Sequence, residues 1–156
     1  MDTVIGRVGG KVILTLDFVF CNFMVGLLLP DKTAASVSAA ILSLKKRLSD
    51  HAMSFGTIFL MILTDNGGEF SDVASIENGL DGNKESSLFF CDPAHSSQKP
   101  HVEKNHTLFR DIVPQGFSFD SFSQNTVNMI FSHVNSVKRK SLNGRTPYQV
   151  FSLLFG

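Results

Sequence analysis

An apolar run at positions 58–64 ends abruptly in Asp65-Asn66-Gly67-Gly68-Glu69-Phe70. A short continuous apolar stretch closed by a turn signal predicts a strand buried on both faces. After a meander and a helix, such a strand makes a mixed α/β order, in which it can lie parallel to the first. Asp65 stands where this strand leaves the core. A carboxylate there is costly unless it is paired or binds a cation. Gly67 and Gly68 let the chain turn, or let another backbone come close. The competing reading is a plain Asp-Asn turn that caps the next segment.

The surrounding chain has the elements such an order needs. Residues 2–5, 11–19 and 23–29 read as three strands with short connections, an antiparallel meander. Gly9-Gly10 and Cys21-Asn22 mark the turns and Pro30 the end. From Thr33 a helix follows, with Val37, Ala40, Ile41, Leu44 and Leu48 on one face. Its Lys45-Lys46-Arg47 cluster reads as a solvated face. After the 58–64 strand come a short helix and loop, then a strand at 87–91. Three helices are expected beyond: 101–112, 123–142, and one opening at Thr146-Pro147.

At 156 residues the chain is one domain by size and can bury a core without cross-links. Its formal charge is zero, which argues against gripping nucleic acid by bulk charge but leaves local basic patches open. Cys21 and Cys91 read as buried thiols, not as a disulfide or a zinc site. The opening residues lack a basic start and an apolar core, so no secretory signal is read and a cytoplasmic protein without a membrane span is expected. Thr3-Val4-Ile5 looks like the second half of a strand, so a truncated fragment is expected. Gly6, Gly9 and Gly10 do not form a phosphate-binding fingerprint, which disfavours a nucleotide-binding domain.

Asp2 on the first strand, Asp65 on the fourth and Glu103 on the helix after the last are three acids that such a fold could bring together. Neighbouring strands lie about 4.8 Å apart. Three converging carboxylates repel one another unless cations neutralise them. Hard oxygen ligands suit Mg²⁺ or Mn²⁺, and two such ions can activate a hydroxyl and stabilise the leaving oxygen of a phosphodiester. Spacing alone leaves other triples open, and Asp17 is the rival for the place of Asp2.

Four stretches carry more: DTVIGRVGGKVILTL, ILTDNGGEF, FFCDPAHSSQKPHVEKNHTLFRDIVPQGFSFD and LNGRTPYQVF. Together, and in this order, they resemble DDE transposases of the IS-thirty insertion-sequence type, relatives of retroviral integrases. Between Asp65 and Glu103 lie 37 residues, close to the interval of that superfamily. The resemblance implies an α/β, RNase H-like fold: a five-stranded mixed sheet flanked by helices, with residues 1–156 as the catalytic core. It implies a polynucleotidyl transferase that cleaves and transfers DNA strands, using two Mg²⁺ or Mn²⁺ ions held by Asp2, Asp65 and Glu103. It also implies DNA as partner and action as a dimer or higher multimer.

Asn66, Glu69, Lys99, Lys104, Asn105, His106 and Arg110 are then expected beside the metal ligands or on DNA. Lys138, Arg139 and Lys140, with Arg145, form a basic cluster suited to phosphates. Family members carry a helix-turn-helix region ahead of this core, and none is read here. Ser97-Gln98 stands where the family usually has a Trp. The alternative is an inactive, truncated remnant that folds or binds DNA weakly.

Overall fold

The computed structural model describes residues 1–91 and 100–155, and within the helix at Pro100–Ile112 the side chains from residue 105 onward. Strands β1 (Asp2–Ile5), β2 (Val12–Phe18) and β3 (Phe23–Leu29) form the antiparallel meander. Its turns use left-handed backbone at Gly9 (φ 76°) and Asn22 (φ 54°), residue types that tolerate it. Helix α1 (Ala34–Asp50) follows, then a short helix α2 (Phe55–Ile58), β4 (Met61–Thr64), a 3-10 turn (Gly68–Phe70) and α3 (Val73–Glu77). Strand β5 (Ser87–Phe90), α4 (Pro100–Ile112), α5 (Gln124–Asn135) and α6 (Pro147–Phe155) complete the chain.

The expected single sheet is resolved into two ladders. β1-β2-β3 form one, and β4 pairs in parallel with β5 in the other. They abut where the Met1 amine donates to Leu63 O at 2.7 Å. No ladder joins β1 to β4 among the described residues, although each builds a four-residue ladder on its other side. The apolar run 58–64 is also not all strand. Its first residue closes α2, and β4 begins only at Met61, with Met61 74% and Leu63 38% exposed. β4 is therefore buried on one face, through Ile62 and Thr64.

Strand parity divides the core. Val12, Leu14, Leu16, Leu27 and Leu29 face α1, joining Val37, Ile41, Phe55, Ile62, Phe70 and Ile76. The other face carries Val4, Ile13 and Met24 against Phe109 and Val113 and the α5 residues Val127, Ile130, Phe131 and Val134. Thr33 caps α1 through the Ser36 amide, and Asp31 in turn accepts from both hydroxyls at 2.6 Å. A capping box of Ser123 and Thr126 starts α5. The helix expected over 123–142 stops at Asn135; a separate 3-10 turn covers Lys140–Leu142.

Lys45 is not on a solvated face. It is 3% exposed and donates to the Ser75, Ile76 and Asn78 carbonyls at the end of α3, 3.8 Å from Glu85. A cation at a helix C-terminus meets its unpaired carbonyls and the negative end of its dipole. Burial pushes the Lys45 ammonium pKa down, and Glu85 opposes that.

Helix α5 also closes the outer edge of β3. The Gln124 amide accepts from Leu28 N and donates to Gly26 O, each at 2.8 Å. At the other end, Asn135 accepts from Met24 N and donates to Met24 O, each at 2.9 Å. Gly26 is required between them, since a Cβ there would lie 2.1 Å from the Phe131 ring.

Neither cysteine is bonded to the other: Cys21 is buried, with its thiol pKa raised by that burial, and Cys91 is half-buried. Among the described residues no helix is long and apolar enough to cross a membrane.

Candidate active site

Asp2 is the cross-strand partner of Thr15, and Val4 of Ile13. Cross-strand partners share a face, so Asp2 lies on the side covered by α4 and α5. On β4, Ile62 faces α1, so Met61 and Leu63 face the opposite side, and Asp65 continues their alternation. The Met1–Leu63 bond sets β1 and β4 side by side at the end where both aspartates stand. Both carboxylates are held from the main chain: Thr3 N donates to Asp2 Oδ1 at 2.7 Å and Gly67 N to Asp65 Oδ1 at 3.1 Å. Asp65 and Asn66 are exposed and Asp2 is half-buried.

Helix α4 runs alongside β1 in the same direction. His106 Nε2 lies 3.3 Å from Thr15 Oγ1, and that hydroxyl donates to Asp2 O at 3.1 Å. One turn later Arg110 donates to Ile5 O at 2.9 Å, at the far end of β1. The helix start, which includes Glu103, therefore points toward the Asp2 end. The side chains of Glu103 and Lys104, and all of Lys99, lie outside the described residues. Among the described residues no group of three metal-ligating side chains occurs.

No protein-family model matches the chain. An integrase-named protein (ORF3) of Spiroplasma virus SpV1-R8A2 B is 27% identical over 153 residues, 97% of this chain and 44% of that protein. The transposase for insertion sequence element IS4351 of Bacteroides fragilis is 31% identical over 90 residues, 58% of this chain and 26% of that protein. The catalytic core domain of BIV integrase superposes with a TM-score of 0.62 at 20% identity, covering 96% of this chain and 90% of that one. This chain is transposase/integrase-like. The structural likeness gives it the α/β fold of an integrase core, in the RNase H-like class expected from the sequence. The chain spans less than half the length of these two curated relatives.

Several residues of the integrase-like chain that were expected at its reactive surface are interior. Asn105 is 1% exposed; it donates to Asp17 Oδ1 at 2.7 Å and to Asn22 O at 3.1 Å. Arg139 is 4% exposed and donates to Asn105 Oδ1 at 3.1 Å and Val134 O at 2.9 Å. Burial lowers the Arg139 pKa, and Asp17 opposes that. Asp17, the rival to Asp2, is thus engaged in docking α4. Arg110 is likewise committed to main-chain carbonyls.

Arg139 still shapes the basic surface. Its N–H donates to Arg145 O and its carbonyl accepts from Gly144 N, each at 2.9 Å, closing a loop that displays Lys138, Lys140 and Arg145 to solvent. Glu69 is 5% exposed and bonded to Thr3 and Lys32. Thr3, Thr15 and Lys32 are the residues around the aspartates that sequence reasoning missed. For the two threonines the signal was a hydroxyl on otherwise apolar strands; Lys32, in the connection before α1, gave none.

Proposed function

We propose that this chain is the catalytic core of a DNA transposase or integrase, cleaving and joining phosphodiester bonds with Asp2, Asp65 and Glu103. The observation that carries it is the placement of Asp2 and Asp65 at one end and on one face of adjacent strands, with α4 starting at that end. The reading treats the two ladders as one mixed sheet in the order β3-β2-β1-β4-β5, which the Met1–Leu63 bond supports. The similarity to transposases and integrases supports the same chemistry.

The donor set fits a hard divalent cation. Each aspartate has one oxygen tied to a backbone N–H, and Asp65 is solvent-accessible, which suits hard oxygen donors to such an ion. Asp2, Asp65 and Glu103 would hold Mg²⁺ or Mn²⁺, two ions in the full site. When bound, such ions polarise the phosphodiester and sharpen the attacking hydroxyl. The protein's part is to orient: Thr3 and Gly67 fix the aspartates, while Thr15 and His106 dock α4 beside Asp2. Asn66 lies exposed next to Asp65. Lys138, Lys140 and Arg145 position the DNA backbone without reading sequence. Action as a dimer or higher multimer on paired DNA ends belongs to this reading.

The test is nicking of supercoiled plasmid with Mg²⁺ or Mn²⁺, by the parent chain and by Asp65→Asn and Glu103→Gln. Metal-dependent nicking lost in both variants is expected. Nicking retained in Glu103→Gln would overturn the assignment. A parent chain that neither nicks nor binds Mn²⁺ would favour the inactive-remnant alternative.

A further inference from the structure

The two aspartates are joined by a continuous path of contacts on the side of the strands away from α4. Thr3 pairs with Leu14, so its side chain points toward α1, opposite to Asp2. There its hydroxyl donates to Glu69 Oε1 at 2.8 Å, and Lys32, in the connection before α1, lies 3.1 Å from the same oxygen. A buried carboxylate is retained only where such partners compensate its lost hydration.

The other carboxylate oxygen packs against the turn itself. A Cβ on Gly67 would sit 2.4 Å from Glu69 Oε2, so any larger residue there would push the carboxylate from its place. Gly67 N then donates to Asp65, just as Thr3 N donates to Asp2. Phe70, with no exposed surface, anchors the turn from below. The path therefore runs from the Asp2 carboxylate through Thr3, Glu69 and Gly67 to the Asp65 carboxylate.

We propose that Thr3 and Glu69, with Lys32, form a positioning clip that fixes the separation of the two aspartates. Glu69 then contacts neither metal nor DNA; it acts through Thr3 and Gly67. The proposal rests on the carboxylate site described above. It explains why an acid four residues beyond Asp65 is buried in a turn whose neighbours Asp65 and Asn66 are exposed.

The experiment is Mn²⁺ titration by calorimetry on the parent chain, Thr3→Val, Thr3→Ser, Glu69→Gln and Asp65→Asn. Amide hydrogen exchange at residues 67–70 is followed in parallel. Thr3→Val is expected to weaken Mn²⁺ binding about tenfold, the scale of one buried hydrogen bond, and to speed exchange in the turn. Thr3→Ser keeps the hydroxyl and should bind as the parent does. Exchange in α5 should stay unchanged, which separates the clip from general unfolding. If Thr3→Val does not fold, Glu69→Gln carries the same test, since it loses the attraction to Lys32 and turns the charge-assisted bond from Thr3 into a weaker neutral one; weaker Mn²⁺ binding and faster exchange in the turn are again expected. Parent-like binding and exchange in Thr3→Val, or in Glu69→Gln where that variant stands in, would overturn the clip alone. A parent chain that takes up no Mn²⁺, or an Asp65→Asn variant that binds as well, would overturn the carboxylate site and with it the clip's positioning role.

Discussion

Arg139 donates to Asn105 across 3.1 Å in the interior, tying the loop after α5 to the helix that bears Glu103. Asn105 spends its amide group on Asp17 and Asn22, so one side chain joins three parts of the chain. Asn105→Ala leaves a buried guanidinium and a carboxylate short of partners. We expect a loss of about 2–4 kcal/mol in urea unfolding, with Arg139→Ala similarly costly.

The exposed basic residues should behave differently. Lys138→Ala, Lys140→Ala and Arg145→Ala remove charges from solvent and should leave the thermal midpoint unchanged. Under the DNA-binding reading, each should weaken binding of random-sequence duplex and reduce the salt dependence by about one counterion. Fluorescence anisotropy over a salt series measures both. An unchanged slope in the triple variant would remove this loop from the DNA path.

Gly26→Ala places a methyl group 2.1 Å from the nearest carbon of the Phe131 ring. Overpacking of this kind costs about 1–3 kcal/mol, read as a lower urea midpoint. Phe131→Leu in the same chain should recover part of the loss, because it removes the atoms that clash.

Acid sensitivity should trace in part to Asp72. Its carboxyl lies below the usual carboxylate range because Ser75, then Ser38, hydrogen-bond to it. A depressed folded value means that this stabilisation is fully present above the unfolded pKa. It is lost as pH falls through the folded one. The bonds join α1 to the start of α3. Asp72→Ala should cost about 1 kcal/mol at neutral pH, the scale of an N-cap. It should also flatten the decline in urea midpoint below the ordinary carboxylate pKa.

How much of this the sequence carried depended on how local each cause was. The meander was legible because Gly9, Asn22 and Pro30 mark turns that their own backbone chemistry demands. The start of β4 was not, because an apolar run serves a helix or a strand equally. Here the Phe55 and Phe59 rings, 4.7 Å apart, close a helical turn first. Lys45 lies four residues beyond Ile41 on the buried stripe, yet its reason for being there is the end of α3, remote in sequence. Asn105 shares a helix face with Phe109, which hinted at burial. Nothing near Arg139 foretold that its charge would turn inward. Around the candidate site, the aspartates stood out by their motif, while Thr3, Thr15 and Lys32 act through contacts that only the fold creates.

The amides of Gln124 and Asn135 give α5 a second role beyond packing. They occupy β3 groups to which another chain's backbone would otherwise bond, so on that side the sheet offers no template for strand addition. Partial detachment of α5 would uncover apolar side chains and a bare strand edge at the same moment. For this protein the step that loosens one helix is thus also the step that opens a route to aggregation, and mutations at Gln124 or Asn135 should register in solubility before they register in shape.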